Sequence, residues 1–172
     1  MFEGLKRHLR RKALDKWGSR KPTSLMPIGR VRSVALLMDV EDPGFRDYQD
    51  GIISWFRAQG IRTDVHFFDF RRLEKDELLI TSIQNTVLKK DLNWFGMPDP
   101  AHVVDINADM FVSLVADDSY ASRFYAVCCR SSYKVGRTAW EGHPYDLLIC
   151  GEGNAATPEV FEELKKYLLK IC

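Results

Sequence analysis

Apolar and polar positions along the chain sort into two periods. From Phe2 to Trp17 the apolar residues Phe2, Leu5, Leu9, Ala13 and Trp17 recur every three or four positions among cations, which predicts a helix with one narrow apolar stripe. Gly18-Ser19 stops it, and Pro22, Pro27 and Gly29 mark a linker. "SVALLMDV" (Ser33 to Val40) is a continuous apolar run of strand length, the pattern of a strand buried on both faces in a parallel sheet. A helix follows, with Asp42 expected as its N-cap, Pro43 as its first residue and Gly60 as its stop. "RTDVHFFDF" (Arg62 to Phe70) is the second strand.

The middle of the chain is less regular. "LEKDELLITSIQ" reads as a short helix, "NTVL" as a short strand and "PDPAHVVDIN" as a short helix. "DMFVSLV" (Asp109 to Val115) is a second buried strand, and "DDSYASRFYAVCCRSS" a helix capped by Asp118 or Ser119. "YKVG" and "YDLLIC" (Tyr145 to Cys150) are strands, and a terminal amphipathic helix begins at Thr157 as cap with Pro158 in its first turn. Strands alternating with helices predict a three-layer, Rossmann-like α/β fold with an open, mostly parallel sheet. The expected organisation is a basic helical arm and linker over residues 1–32 and a single α/β domain over 33–172.

Charge sharpens this picture. Residues 1–32 carry ten Lys/Arg against Glu3 and Asp15, a balance of +8; the remaining 15 basic and 22 acidic residues give −7. A basic arm on an acidic body suits self-association or a protein partner through the arm, with nucleic acid or an anionic membrane surface as less favoured partners. The N-terminus lacks the apolar segment and cleavage site of a signal peptide, and four scattered cysteines lack CxxC spacing, so a reduced, cytoplasmic protein is expected.

Open α/β sheets bind ligands outside the carboxyl ends of their strands. The loops expected there bring Asp39, Glu41 and Asp42 after the first strand, and Asp117 and Asp118 after "DMFVSLV". The stretch "KKDLNWFGMPDP" (Lys89 to Pro100) adds Asn93 and the pair Trp94-Phe95. Those acids offer hard oxygen ligands of the kind Mg²⁺ takes, and either aromatic could stack on a flat ligand. The same residues also serve as helix caps and as a lid on the core, which is the commoner use of such patterns. No loop carries a GxGxxG or GxxxxGK[ST] fingerprint, and no catalytic triad, metal-ligand set or cofactor motif is expected. The expectation is a non-catalytic binding or interaction module. The alternative is a small metal-assisted enzyme or nucleotide-type ligand binder at the acidic rim.

"KKDLNWFGMP", "DMFVSLV" followed by a helix and "YKVGR", and "YDLLI" before a helix ending "YLLKI" together resemble a family of small uncharacterised proteins from Bacteroidetes, a domain of unknown function. More distantly, the strand–helix–"YKVGR" segment is similar to the N-terminal half of heptosyltransferase-type glycosyltransferases. That resemblance implies a Rossmann-like sheet, and it implies no transfer chemistry by a chain too short for the second, donor-binding domain.

Overall fold

The structure is a computed structural model and describes residues 2–72, 85–149 and 154–171. The helix expected from "LEKDELLITSIQ" lies outside these residues. Six strands form one sheet: β1 (Ser33–Asp39), β2 (Arg62–Asp69), β3 (Thr86–Leu88), β4 (Met110–Ser113), β5 (Tyr133–Gly136) and β6 (Leu147–Leu148). Their order is β3-β2-β1-β4-β5-β6, and every pairing is parallel. The chain works outward from β1 to one edge, then returns to start again at β4. The sheet therefore reverses its direction of winding between β1 and β4, and this is where such sheets open a crevice.

The apolar run of β1 explains why it is central. Val34, Leu36 and Met38 point to one face and Ala35 and Leu37 to the other, and all five are buried. On the first face lie α2 (Phe45–Ala58) and α5 (Thr157–Lys170). Phe45, Ile52 and Phe56 of α2 and Val160, Phe161, Leu164 and Leu168 of α5 fall at helical spacing and join the same core. The two helices meet where Trp55 and Phe161 pack edge to face at 5.6 Å. On the second face lie α3 (Pro100–Val104) and α4 (Tyr120–Cys128). The fold is thus a three-layer, Rossmann-like α/β sandwich.

The first helix, α1 (Phe2–Trp17), packs against α4. Ala13 is buried in the second-face core, with Leu14 and Trp17 packed at its margin. The Tyr120 hydroxyl donates to the Arg10 carbonyl at 2.8 Å, and the Ser19 amide donates to the Val127 carbonyl at 3.0 Å. Arg10 therefore meets the first residue of α4 and Ser19 nearly its last, so the two helices run in the same direction. Sheet on one side and α1 on another leave seven of the nine α4 residues buried, which is why that helix is apolar almost all round. The linker then runs back along the molecule. Thr23 Oγ1 donates to Asp146 Oδ1 at 2.7 Å, and the Ser24 amide donates to the Ser132 carbonyl at 3.0 Å.

Three boundaries differ from expectation. The α2 N-cap is Gly44, at φ +77°, because Asp42 is drawn into a preceding turn where its carbonyl accepts from the Phe45 amide. The α5 N-cap is Ala156, with Glu159 accepting from the Ala156 amide at 3.2 Å, so Thr157 is the first helical residue. The last strand is only Leu147–Leu148, since Tyr145 leaves the strand to pack over Gly136.

Candidate functional site

The crevice between the carboxyl ends of β1 and β4 brings Asp39 and Asp117 together. Asp39 closes β1, and its Oδ1 accepts from the Glu41 amide at 2.9 Å. Asp117 follows β4, and its Oδ1 accepts from the Ser119 amide at 3.4 Å. Burial, with the charges of Asp117, Glu41 and Asp42 adding to it, raises the Asp39 carboxyl to about 6 against an opposing hydrogen bond from Glu41. Asp42 Oδ2 is taken by the Tyr48 hydroxyl at 2.6 Å, which helps hold the Tyr48 phenol protonated. Glu41 and Asp118 are exposed to solvent. Ser119, not Asp118, caps α4, accepting from the Ser122 amide at 3.2 Å. The acids therefore share one rim, and Asp39, Asp42 and Asp117 each have one carboxylate oxygen engaged within the chain. Among the described residues no three His, Cys, Asp or Glu side chains converge as a metal-ligand set.

The rim also holds cations that the sequence reasoning passed over. Arg137 follows β5 and donates to the Leu114 carbonyl at 3.0 Å, to Thr157 Oγ1 at 2.8 Å and to the Ala155 carbonyl at 2.8 Å. It ties β4, β5 and the head of α5 into one corner. The signal was present: an arginine placed directly after the short strand "YKVG" stands at a strand end by necessity. Arg71 grips Asp69, the last residue of β2, by two bonds of 2.8 Å to its two oxygens. Asp69 is fully buried, and the Arg71 guanidinium keeps its carboxyl below the ordinary range. Ser113, the last residue of β4, is buried and hydrogen-bonds Tyr145, whose ring covers Gly136.

Trp94 and Phe95 divide the two roles expected of them. Phe95, with Leu92 and Met97, packs against the second-face core, and its ring meets Tyr120 at 6.4 Å. Trp94 is 61% exposed. The turn that separates them is built by Asn93, whose Oδ1 accepts from the Phe95 amide at 3.1 Å and from the Met97 amide at 2.9 Å. Asn93 thus shapes the turn with the oxygen it would have offered a ligand. Gly96 completes the turn at φ +86°, where a side chain would be strained. Arg10 of α1 clamps the turn from outside: its Nε donates to the Phe95 carbonyl at 2.7 Å, and its guanidinium lies 4.9 Å from the Tyr120 ring centre.

Because α1 runs alongside α4, its residues before Arg10 continue past the head of α4 at this same carboxyl end. Phe2 and Leu5 on that overhang are 81% and 50% exposed. The stripe that seats Ala13 on the body is therefore uncovered at its other end.

No curated protein and no solved structure gives a significant match to this chain. The comparisons accordingly do not show the heptosyltransferase likeness or an origin in Bacteroidetes. The family profile that matches spans residues 5–171, nearly the whole fold just described, and the chain belongs to that family of unknown function (DUF6913).

Proposed function

We propose that the chain is a non-catalytic, cytoplasmic binding module whose contact surface is the Trp94 turn together with the overhanging turns of α1. The observation that carries this reading is the exposure of Trp94 on a turn that is otherwise fastened. Phe95 anchors it from within, Asn93 shapes it, and Arg10 clamps it to α1. Trp is among the residue types most enriched at binding hot spots, and here one is held rigid at low conformational cost and left in solvent. Cys128 and Cys129 as buried free thiols support the reducing compartment, and no described helix is long and apolar enough to cross a membrane.

The test is a photoreactive amino acid placed at position 94, with one at exposed Leu169 as control. An adduct formed in cells at 94 and not at 169 supports the module. No adduct above the control overturns it.

A second reading keeps the acidic rim as a small enzyme or nucleotide-type ligand binder. Its support is Asp39, a carboxyl raised to about 6 in the crevice, where an acid–base group is useful near neutral pH. The metal-assisted form of this reading would need a third ligand beside Asp39 and Asp117.

A further inference from the structure

Resting on the reading of Trp94 and α1 as the contact surface, we infer that its partner is an anionic phospholipid surface. Three of the large hydrophobic side chains exposed on the molecule, Phe2, Leu5 and Trp94, lie on the overhang of α1 or on the turn that Arg10 clamps to it. The same two segments carry exposed cations: Arg7, Arg11 and Lys12 on α1, and Lys89 and Lys90 in the turn leading to Trp94. Apolar tips set among lysines and arginines suit the boundary between headgroups and acyl chains, where the apolar groups sink shallowly and the cations meet phosphates.

The competing partners fit less well. A protein groove needs about 800 Å² from each side, whereas three side chains of at most roughly 250 Å² each supply no more than about 750 Å² even when wholly covered. A second copy meeting overhang to overhang brings like charges together, since α1 carries six Lys/Arg against Glu3 and Asp15. Nucleic acid would use the cations and Trp94 but gives Phe2 and Leu5 no role.

The acidic rim stands at the same end of the sheet and would repel an anionic surface at close range. The overhang of eight residues, Phe2 to Leu9, reaches about 12 Å beyond Arg10 at a helical rise of ~1.5 Å per residue. That exceeds the screening length of ~8 Å at physiological ionic strength. Phe2 and Leu5 at the tip can therefore make the first contact with a membrane while the rim acids are screened from it; Trp94, held at the level of Arg10, is not part of that first contact.

The experiment is sedimentation of the full chain with vesicles of phosphatidylcholine and phosphatidylglycerol at 3:1, against pure phosphatidylcholine, in 0.15 M salt. We expect binding to the anionic vesicles alone. Phe2→Ser with Leu5→Ser should weaken it by at least about tenfold, the least expected when a buried apolar side chain is lost. Arg7→Gln with Lys12→Gln should weaken it and flatten its salt dependence. All these positions are exposed, so circular dichroism and melting should match the parent. Failure to sediment overturns the lipid inference, and so does binding that ignores the Phe2/Leu5 change. Salt-sensitive capture of poly(U) without vesicle binding also overturns it. A protein or RNA adduct at position 94 in any of these cases leaves the binding module standing, while no adduct removes both.

Discussion

The Arg10 guanidinium donates through Nε to the carbonyl of Phe95 at 2.7 Å, joining residues 85 positions apart in sequence. The same group lies over the Tyr120 ring, so one side chain binds α1, the Trp94 turn and the head of α4 to each other. Arg10→Ala removes a charged hydrogen bond and a cation–π contact together. The expected cost is about 1.5–3 kcal/mol in urea denaturation. Arg10→Lys should recover little of it, because an ammonium cannot supply both the directed Nε bond and the flat stacking face. A loss under about 0.5 kcal/mol, the usual surface range, would mean that α1 docks without this clamp.

Trp94 and Phe95 should part company under mutation. Trp94→Ala removes an exposed side chain and should leave stability within about 0.5 kcal/mol. Phe95→Ala removes a half-buried ring and should cost about 2–3 kcal/mol, somewhat less than a fully buried phenylalanine. Equal effects in thermal or chemical melts would contradict the division of roles at this turn.

Asp39 makes a prediction about pH. Its folded-state carboxyl sits near 6, above the ordinary 3.8, so the folded state holds the proton more tightly than the unfolded chain does. Ionising Asp39 therefore weakens the fold, with the full penalty present above about pH 6 and absent below the ordinary value. Asp39→Asn removes that penalty and keeps an oxygen for the Glu41 amide. The variant should melt above the parent at pH 8, and the gap should close on acidification toward pH 4. Taking the difference between the two proteins cancels groups such as Asp69, whose lowered value acts in the opposite direction. A gap that stays constant with pH would show that Asp39 is not the titrating group.

Gly136 has no room for a methyl group. A Cβ there would stand 2.2 Å from Cε2 of Tyr145, whose hydroxyl is held by Ser113. Gly136→Ala should destabilise the protein by about 1–3 kcal/mol or more, the range for overpacking. Combining it with Tyr145→Leu should cost less than the sum of the two single changes, because the clash is shared. Strict additivity would place the strain elsewhere.

The central architecture was legible because β1 is apolar on both faces, and only a strand covered by helices on both sides needs that. The loops after β1 and β4 were legible as a rim, yet nothing in a linear chain says that these two strands are neighbours. Their convergence puts Asp39 beside Asp117, and it follows from the return of the chain to the middle of the sheet. The division between Trp94 and Phe95 was not legible either. Adjacent aromatics in an irregular turn have no period to assign them sides, and the decision is made by Asn93 and by an arginine far away in sequence. Asp42 looked like a cap because its type is right for one. Tyr48, a turn later, competes for the same carboxylate and wins it.

The docking of α1 on α4 has a consequence for how the protein is made. On the ribosome, α1 must wait for a partner that begins 110 residues after Arg10, at Tyr120. At synthesis rates of roughly 5–20 residues per second, that delay is about 6–22 s. Throughout it, a cationic helix with an open apolar stripe exists without the surface that later covers half of it. The nascent chain thus exposes α1 to chaperones and to premature association, and completion of α4 ends that interval.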